Sequence, residues 1–216
     1  NGIYVTENKV TITSFGQNYY ATSGYTTTLS PTYSYNGSAT LSFQWHNASG
    51  PINGATSSSL TTGTAGNYYV VITSQLNNTT GITTSSTATV TVVNSPSITS
   101  LTPDSYGIGL GSSTNLTPIF ANGTGVITPG NILVTSGNSI SISPTVNTTY
   151  TLTVTNQAGT VASMYTNVVI TKGIFTGTGA PSTERQFNFG FLLNTGKVLI
   201  ANSGWSGNAT AELYDI

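Results

Sequence analysis

The side chains that could carry out acid–base chemistry are few and widely separated in this sequence. Glu184, Glu212 and Asp215 are the only acids that lie near one another along the chain. A glycosidase needs two carboxylates about 5–10 Å apart. The single histidine, His46, would have to find Asp104 as its partner to build a Ser-His-Asp arrangement. Since no nucleophile elbow or glycine-rich phosphate loop is present either, the sequence predicts a protein that is not an enzyme.

The residues that most often hold metals and cofactors are also scarce. The chain contains no cysteine and one histidine, which excludes thiolate ligands, disulfide bonds and a multi-histidine site. Its four Lys and Arg residues cannot form the basic patch that nucleic acid or anionic lipid requires. No apolar run approaches the roughly 18 residues that a membrane-spanning helix needs. We therefore expect no metal, no cofactor, no nucleic-acid partner and no membrane span.

Charge is rare along the whole chain. Charged residues make up 4% of the 216 positions, whereas an ordinary soluble domain has about 25%. Between residues 10 and 171, Asp104 is the only formally charged side chain. Chains rich in Ser, Thr and Asn and poor in Lys and Glu are typical of secreted and surface proteins of microbes. This composition predicts an extracellular protein at the cell surface.

Asparagine side chains offer one modification chemistry. The sequence Asn-x-Ser/Thr is the acceptor for N-glycosylation, and glycans would hydrate a surface that has almost no charge. The Asn, Ser and Thr content alone predicts about seven such sequences by chance, so their number is not evidence of selection. The candidate glycosylation sites are Asn36, Asn47, Asn77, Asn78, Asn115, Asn122, Asn147 and Asn208.

Alternating apolar and polar residues predict β-strands along most of the chain. In the stretch Tyr150-Thr151-Leu152-Thr153-Val154, apolar residues recur at every second position, and β-branched and aromatic residues favour strands. Gly, Pro and Asn bound these stretches, as they do at turns. No segment shows a sustained helical period. The predicted fold class is therefore all-β.

Two units of the sequence resemble each other. Ile12-Thr13-Ser14-Phe15 matches Ile98-Thr99-Ser100-Leu101, and the stretch Tyr68–Gln75 matches Tyr150–Gln157. The two starts lie 86 residues apart and the two tyrosines 82 residues apart. A unit of this size with about seven short strands is typical of a β-sandwich. The repeat therefore predicts two sandwiches in tandem.

The first unit resembles microbial immunoglobulin-like domains. The resemblance lies in Leu41–Asn47 (LSFQWHN), in Pro51–Leu60 and in Ala65-Gly66-Asn67-Tyr68. It implies that Trp45 fills the sandwich core and that Tyr68 opens a core strand.

The second unit is similar to the cysteine-free immunoglobulin-like repeats of bacterial surface proteins. The similar stretch runs from Ser143 to Val154 and includes Thr-Tyr-Thr-Leu-Thr-Val. Tyr150 is expected at the core position that corresponds to Tyr68. The second unit has no counterpart of Trp45.

The C-terminal residues resemble one kelch motif, which is carried by Arg185-x-Phe187-x-Phe189, Leu192–Ile200 and Ala211–Asp215. A kelch motif makes one propeller blade of about four strands, and propellers typically have 4–8 blades. One blade cannot bury its own faces. We expect either that the chain is a piece of a longer kelch protein or that this tail pairs with another surface.

The predicted organisation has four parts. Residues 1–9 form an N-terminal extension that is a candidate donor strand. Immunoglobulin-like domain 1 covers residues 10–94, and immunoglobulin-like domain 2 covers residues 95–172. Residues 173–216 form a kelch-like β tail.

The extension and the tail suggest how copies could join. An unpaired strand seeks a sheet edge, and head-to-tail strand donation that does not close generates a filament. We therefore predict an extracellular structural subunit of a cell-surface filament or stalk, whose partners are copies of itself. The extension could equally be an extra edge strand of the first sandwich. The candidate assembly residues are Ile3, Val5, Phe187, Phe189, Val198, Ile200 and Leu213.

Two other functions fit the sequence. The chain could be an adhesin or glycan-binding fragment of a longer kelch-repeat surface protein, with surface glycans as partners. Tyr19, Tyr20 and Tyr25 would then form a stacking platform, although such residues could also cover a sandwich edge. An enzyme of the kelch-propeller type would require further kelch motifs after Ile216 in the coding sequence.

Overall fold

The computed structural model describes residues 9–35, 37–171, 188–193, 197–203 and 209–215. All regular structure in this part of the chain is β-strand, which confirms the predicted all-β fold of tandem sandwiches. The search of the described residues found no helix that could span a bilayer. The predicted residues Ile3, Val5, Phe187, Asn36 and Asn208 lie outside the described residues.

The first sandwich contains ten strands. They are β1 (Thr11–Ser14), β2 (Asn18–Thr22), β3 (Thr27–Leu29), β4 (Thr32–Ser34), β5 (Thr40–Asn47), β6 (Gly50–Pro51), β7 (Leu60–Thr62), β8 (Gly66–Leu76), β9 (Thr79–Thr84) and β10 (Ala88–Val93). One sheet has the order β2-β10-β8-β5-β6, and β9 also pairs with β8. The pairs β1–β4 and β3–β7 contribute the remaining strands.

Strict alternation along β8 builds the core of this sandwich. Tyr68, Val70 and Ile72 point inward and are almost fully buried, while the residues between them are partly exposed. They pack around Trp45, whose side chain is 0% exposed. The Trp45 ring meets Phe15 edge-on at 5.6 Å between centroids. Burial of a large aromatic side chain contributes a substantial part of the apolar area that stabilises such a sandwich.

The strand β8 is long enough to pair with two strands on one side. Its first residues pair with β10, and its last six residues pair with β9. The two partners are separated at Ser85, whose backbone N–H donates to the Val70 carbonyl at 2.9 Å. Unlike these antiparallel pairs, β2 and β10 run parallel, from Asn18 opposite Thr89 to Thr22 opposite Val93. Thr22 is thereby placed at the end of the sandwich where β10 leaves it.

The second sandwich follows after three linker residues. Its strands are β11 (Ser97–Pro103), β12 (Gly107–Gly109), β13 (Thr114–Ala121), β14 (Thr124–Thr128), β15 (Ile132–Val134), β16 (Ile140–Ile142), β17 (Thr148–Thr155) and β18 (Val161–Thr171). They form the sheets β11-β13-β16 and β12-β18-β17-β14-β15. Leu116, Ile127, Leu152 and Val154 are 0% exposed and lie in its core.

The described residues fall into two compact units. The larger lies within 1–104, 115–141 and 149–167, and the smaller lies within 105–114, 142–148 and 168–216. In the smaller unit, β12 pairs in parallel with the end of β18. The same unit contains an antiparallel sheet of β19 (Asn188–Leu192), β20 (Lys197–Ser203) and β21 (Ala209–Asp215), with β20 in the centre. This sheet is formed by the residues that resemble a kelch motif.

Candidate functional site

The two sandwiches meet at a joint that lies entirely in the larger unit. We define the joint as Thr22, residues 94–95, the turn at 122–123 and the turn at 156–160. The linker contains only Asn94, Ser95 and Pro96 between β10 and β11. Because three residues span about 10 Å when extended, the ends of the two sandwiches must lie close to each other.

The side chain of Asn156 is the centre of the joint. Its Nδ2 group donates to Thr22 Oγ1 and to the Asn94 carbonyl oxygen, both at 3.0 Å. Its Oδ1 atom accepts from the backbone N–H groups of Ala158 at 3.0 Å and Thr160 at 2.9 Å. Both polar atoms of the amide are therefore fully used, two bonds within the turn and two across the joint.

Burial of these polar side chains favours one orientation of the two sandwiches. Asn156 is 7% exposed and Thr22 is 2% exposed. The Thr22 hydroxyl also shares a hydrogen bond with the Thr160 hydroxyl. A buried polar group without a partner costs about 1–3 kcal/mol, so an orientation of the sandwiches that separates these groups is disfavoured. The joint thus fixes the orientation of the first sandwich relative to this end of the second.

A second turn completes the joint. Asn122 adopts a left-handed conformation with φ of 62°, and its Nδ2 group donates to the Ser95 carbonyl at 3.0 Å. The next residue, Gly123, packs so closely that a Cβ atom there would lie 2.7 Å from the Thr155 carbonyl oxygen. Only glycine fits without movement of that backbone. The turn thus needs a residue that tolerates a positive φ at 122 and a residue without a Cβ atom at 123, and Asn-Gly meets both needs.

The joint encloses a cleft of about 560 Å³ lined by residues 92–94, 122–124 and 155–157. None of these residues is charged. Among the residues that the structure describes, no group of three His, Cys, Asp or Glu side chains could hold a metal ion. The cleft is lined by hydroxyl, amide and backbone groups that can form hydrogen bonds to neutral polar groups.

Two of the residues considered for acid–base chemistry contact other side chains. His46 stacks on Tyr69 with ring centroids 4.8 Å apart. The carboxylate of Asp104 accepts from Asn115 Nδ2 at 2.9 Å. Of the three tail acids, Glu212 and Asp215 lie on β21, and Glu184 lies outside the described residues.

The three predicted core residues are all buried. Trp45 donates its Nε1–H to the Ser57 carbonyl at 2.9 Å. The Tyr68 hydroxyl donates to the Thr64 carbonyl at 2.9 Å, which is the hydrogen bond of a tyrosine corner. Tyr150 is 6% exposed, and its burial raises the pKa of its hydroxyl above the ordinary value.

The candidate glycosylation sites differ in what their side chains contact. The described ones are Asn47, Asn77, Asn78, Asn115, Asn122 and Asn147. Asn77 and Asn78 are exposed in the turn between β8 and β9. Asn122 is exposed, but its Nδ2 atom, which a glycan would modify, already donates across the joint. Asn115 Nδ2 similarly donates to Asp104.

The remaining candidates are placed as follows. Tyr19 is half-buried and lies 6.1 Å from Phe15, against the first core, whereas Tyr25 is 66% exposed. In the tail sheet, Val198 is buried and Ile200 is half-buried. Phe189 and Leu213 lie on β19 and β21.

Sequence reasoning missed Thr22 and Asn156. Their side chains meet across 134 positions of the chain, and no local pattern records such a pair. The repeat contained one indication that position 156 is special. Asn156-Gln157 in the second unit matches Ser74-Gln75 in the first, so Asn replaces Ser at this position. The change from Ser to Asn supplies the two donors and the acceptor that the joint uses.

Comparison with known proteins finds similar solved structures at low sequence identity. The chain resembles Sidekick-1 immunoglobulin domains 1–4 (15% identity, TM-score 0.43, 76% of this chain and 49% of that one). It also resembles the fibronectin(III)-like modules of Clostridium thermocellum CbhA (13%, 0.46, 75% and 94%) and the titin fragment I67–I69 (11%, 0.40, 94% and 96%). The chain thus spans about half of the Sidekick-1 fragment.

No family model and no curated protein matches the sequence. At these identities the structural likeness concerns the fold and not an activity. The kelch resemblance of the tail stays a prediction.

Proposed function

We propose that this protein is a non-catalytic structural subunit of an extracellular filament or stalk at a cell surface. Its tandem immunoglobulin-like sandwiches form the shaft, and copies join head-to-tail by β-strand addition. The observation that carries this proposal is the joint, where the buried amide of Asn156 ties the second sandwich to Thr22 of the first sandwich and to Asn94 of the linker. A stalk needs neighbouring domains that keep a fixed orientation relative to each other, and the hydrogen bonds of this joint favour one orientation.

The scarcity of charge supports the same function. Among residues 10–171, the single charged side chain leaves the sandwiches without the like-charge repulsion that keeps neighbouring molecules apart. Strand addition also needs sheet edges that are not protected by charge. Both properties favour close association between copies.

Deletion of the two candidate donors tests the proposal. The full chain is expected to form filaments that are visible by electron microscopy, and removal of residues 1–9 or of residues 174–216 should abolish them. Unchanged filaments in both deletion variants would contradict strand addition. Absence of any assembly of the full chain would contradict the filament itself.

A second candidate is a glycan-binding or adhesive fragment of a longer kelch-repeat surface protein. The exposed ring of Tyr25 is the observation that favours it, because aromatic rings can stack on sugars. Binding to a glycan array that is lost in Tyr25→Ala and kept in Tyr19→Phe would favour this function over the structural one.

A further inference from the structure

The first sandwich has two strand edges that face a common groove. Among the described strands, β9 pairs only with β8, and β1 pairs only with β4. The groove has a volume of about 580 Å³ and is lined by residues 9–15 and 83–86. Two side-chain hydrogen bonds cross it, from Thr83 Oγ1 to the Val10 carbonyl at 2.9 Å and from Ser86 Oγ to the Phe15 carbonyl at 2.6 Å.

The edge of β9 lacks the charge, proline and bulge that protect many edge strands. It contains no charged residue and no proline over six residues, and Ile82 is 70% exposed. By comparison, the edge strand β11 has a register shift between Ile98 and Ser100 and ends at Pro103. Edge strand β15 is only three residues long. The edge of β9 is therefore the better template for an added strand.

The chain upstream of the groove is a suitable added strand. The hydrogen bond from Thr83 to Val10, and the pairing of Asn18 with Thr89, show that the chain here runs parallel to β9 and β10. In the described part of the chain this run begins at Lys9, and Val10 lies at Thr83, near the end of β9. On the side away from β8, the first residues of β9 have no partner among the described strands.

Length and charge agree with this occupant. Eight extended residues cover about 26 Å and the six residues of β9 about 20 Å, at roughly 3.3 Å per residue. Lys9 is exposed at the groove and is the only cation within residues 1–171. Residues 1–8 contain Glu7. Glu7 and Asp104 are the only acids within residues 1–171.

We propose that the edge of β9 opposite β8 is the acceptor for residues 1–8 of a second copy of this chain. Glu7 of the donor copy then lies near Lys9 of the acceptor copy. This inference rests on the proposed function and assigns the donor segment and the acceptor edge, which the function alone leaves open.

Cysteine crosslinking tests the placement, because the chain has no native cysteine. Full-length Val5→Cys or Ile3→Cys is mixed with a differently tagged Ile82→Cys variant and oxidised. A disulfide-linked heterodimer is expected for at least one of the two mixtures. In the matched control, the acceptor is Leu133→Cys on the edge strand β15, where the side chain is 69% exposed. Equal crosslinking to Leu133→Cys, or none to Ile82→Cys, would overturn the proposal.

Charge reversal tests whether the contact joins two copies. Glu7→Lys alone and Lys9→Glu alone each place like charges in the contact, and each is expected to weaken self-association about fivefold at low salt. A mixture of the two variants restores opposite charges at each contact between unlike copies and should associate more strongly than either variant alone. A mixture that associates no better than its components would contradict a contact between copies.

The outcomes separate this inference from the proposed function. Filaments that form without crosslinking between residues 1–8 and β9 would overturn the assigned edge and leave strand addition by the tail. A chain that stays monomeric at all concentrations would overturn both.

Discussion

Asn156 Nδ2 and Thr22 Oγ1 lie 3.0 Å apart, although the two residues are 134 positions apart in the sequence. Their hydrogen bond joins the second sandwich to the first. Both side chains are almost fully buried. The second N–H of the same amide reaches the Asn94 carbonyl in the linker. One neutral side chain thus holds both the linker and the end of the first sandwich.

Replacement of Asn156 should loosen the joint. Asn156→Ala removes two hydrogen bonds across the joint and leaves the Asn94 carbonyl without this donor, at an expected cost of about 1–3 kcal/mol in the free energy of unfolding. Urea unfolding measures this cost, and small-angle X-ray scattering should show a broader distribution of lengths. The control is Asn138→Ala, an exposed turn residue. Equal effects of the two variants would contradict the role of Asn156.

Gly123 is required by close packing rather than by its backbone angles. An added Cβ atom would lie 2.7 Å from the Thr155 carbonyl oxygen and 2.8 Å from Val154 Cγ1. Gly123→Ala should therefore destabilise the protein by about 1–3 kcal/mol. Gly190→Ala is the control, because nothing lies within 4 Å of its Cβ position. A thermal melt that is the same for both variants would show that the turn moves freely.

The hydroxyl of Tyr68 should contribute measurably to stability. Tyr68→Phe keeps the buried ring and removes the 2.9 Å hydrogen bond to the Thr64 carbonyl, with an expected loss of about 0.5–1.5 kcal/mol. Tyr25→Phe removes a hydroxyl from a side chain that is 66% exposed and should change stability little. Chemical denaturation of both variants measures the difference. No loss in Tyr68→Phe would mean that the corner bond contributes nothing.

Stability should fall at high pH through Tyr150. Burial raises the pKa of its hydroxyl above 10.0 in the folded protein. The unfolded chain therefore loses this proton at a lower pH than the folded chain, so the contribution is complete below pH about 10 and is lost as the pH rises through the folded pKa. Urea midpoints measured from pH 8 to 11.5 should decline less for Tyr150→Phe than for the unaltered protein. Parallel declines would contradict this assignment.

Much of the fold could be predicted because strands leave a local signal. Alternation around Tyr150, Leu152 and Val154 predicted a strand with one buried face, and that face is buried. The all-β tandem sandwiches followed from the repeat. The joint could not be predicted, since Thr22 and Asn156 have no spacing rule and their polarity resembles that of many exposed neighbours. Only the folded chain distinguishes a buried polar pair from a solvated one.

The edge of β9 was also beyond prediction. Its Thr-rich sequence is typical of any strand in this chain, and sequence does not show which strands lack a second neighbour. That property depends on the topology, in which β8 divides its pairing between β9 and β10.

The parallel register of β2 and β10 has a mechanical consequence. The chain passes through β1 and then β2 at the start of the first sandwich and leaves it at the end of β10, and five residue pairs align β2 with β10. Tension applied to the two ends of the domain would pull these parallel strands along their axes in opposite directions. All five pairs would then resist together, because sliding the strands past each other must break all of them at once. In a hairpin that is pulled open from its end, the pairs between its strands break one after another. A sandwich connected in this way resists stretching between its two ends.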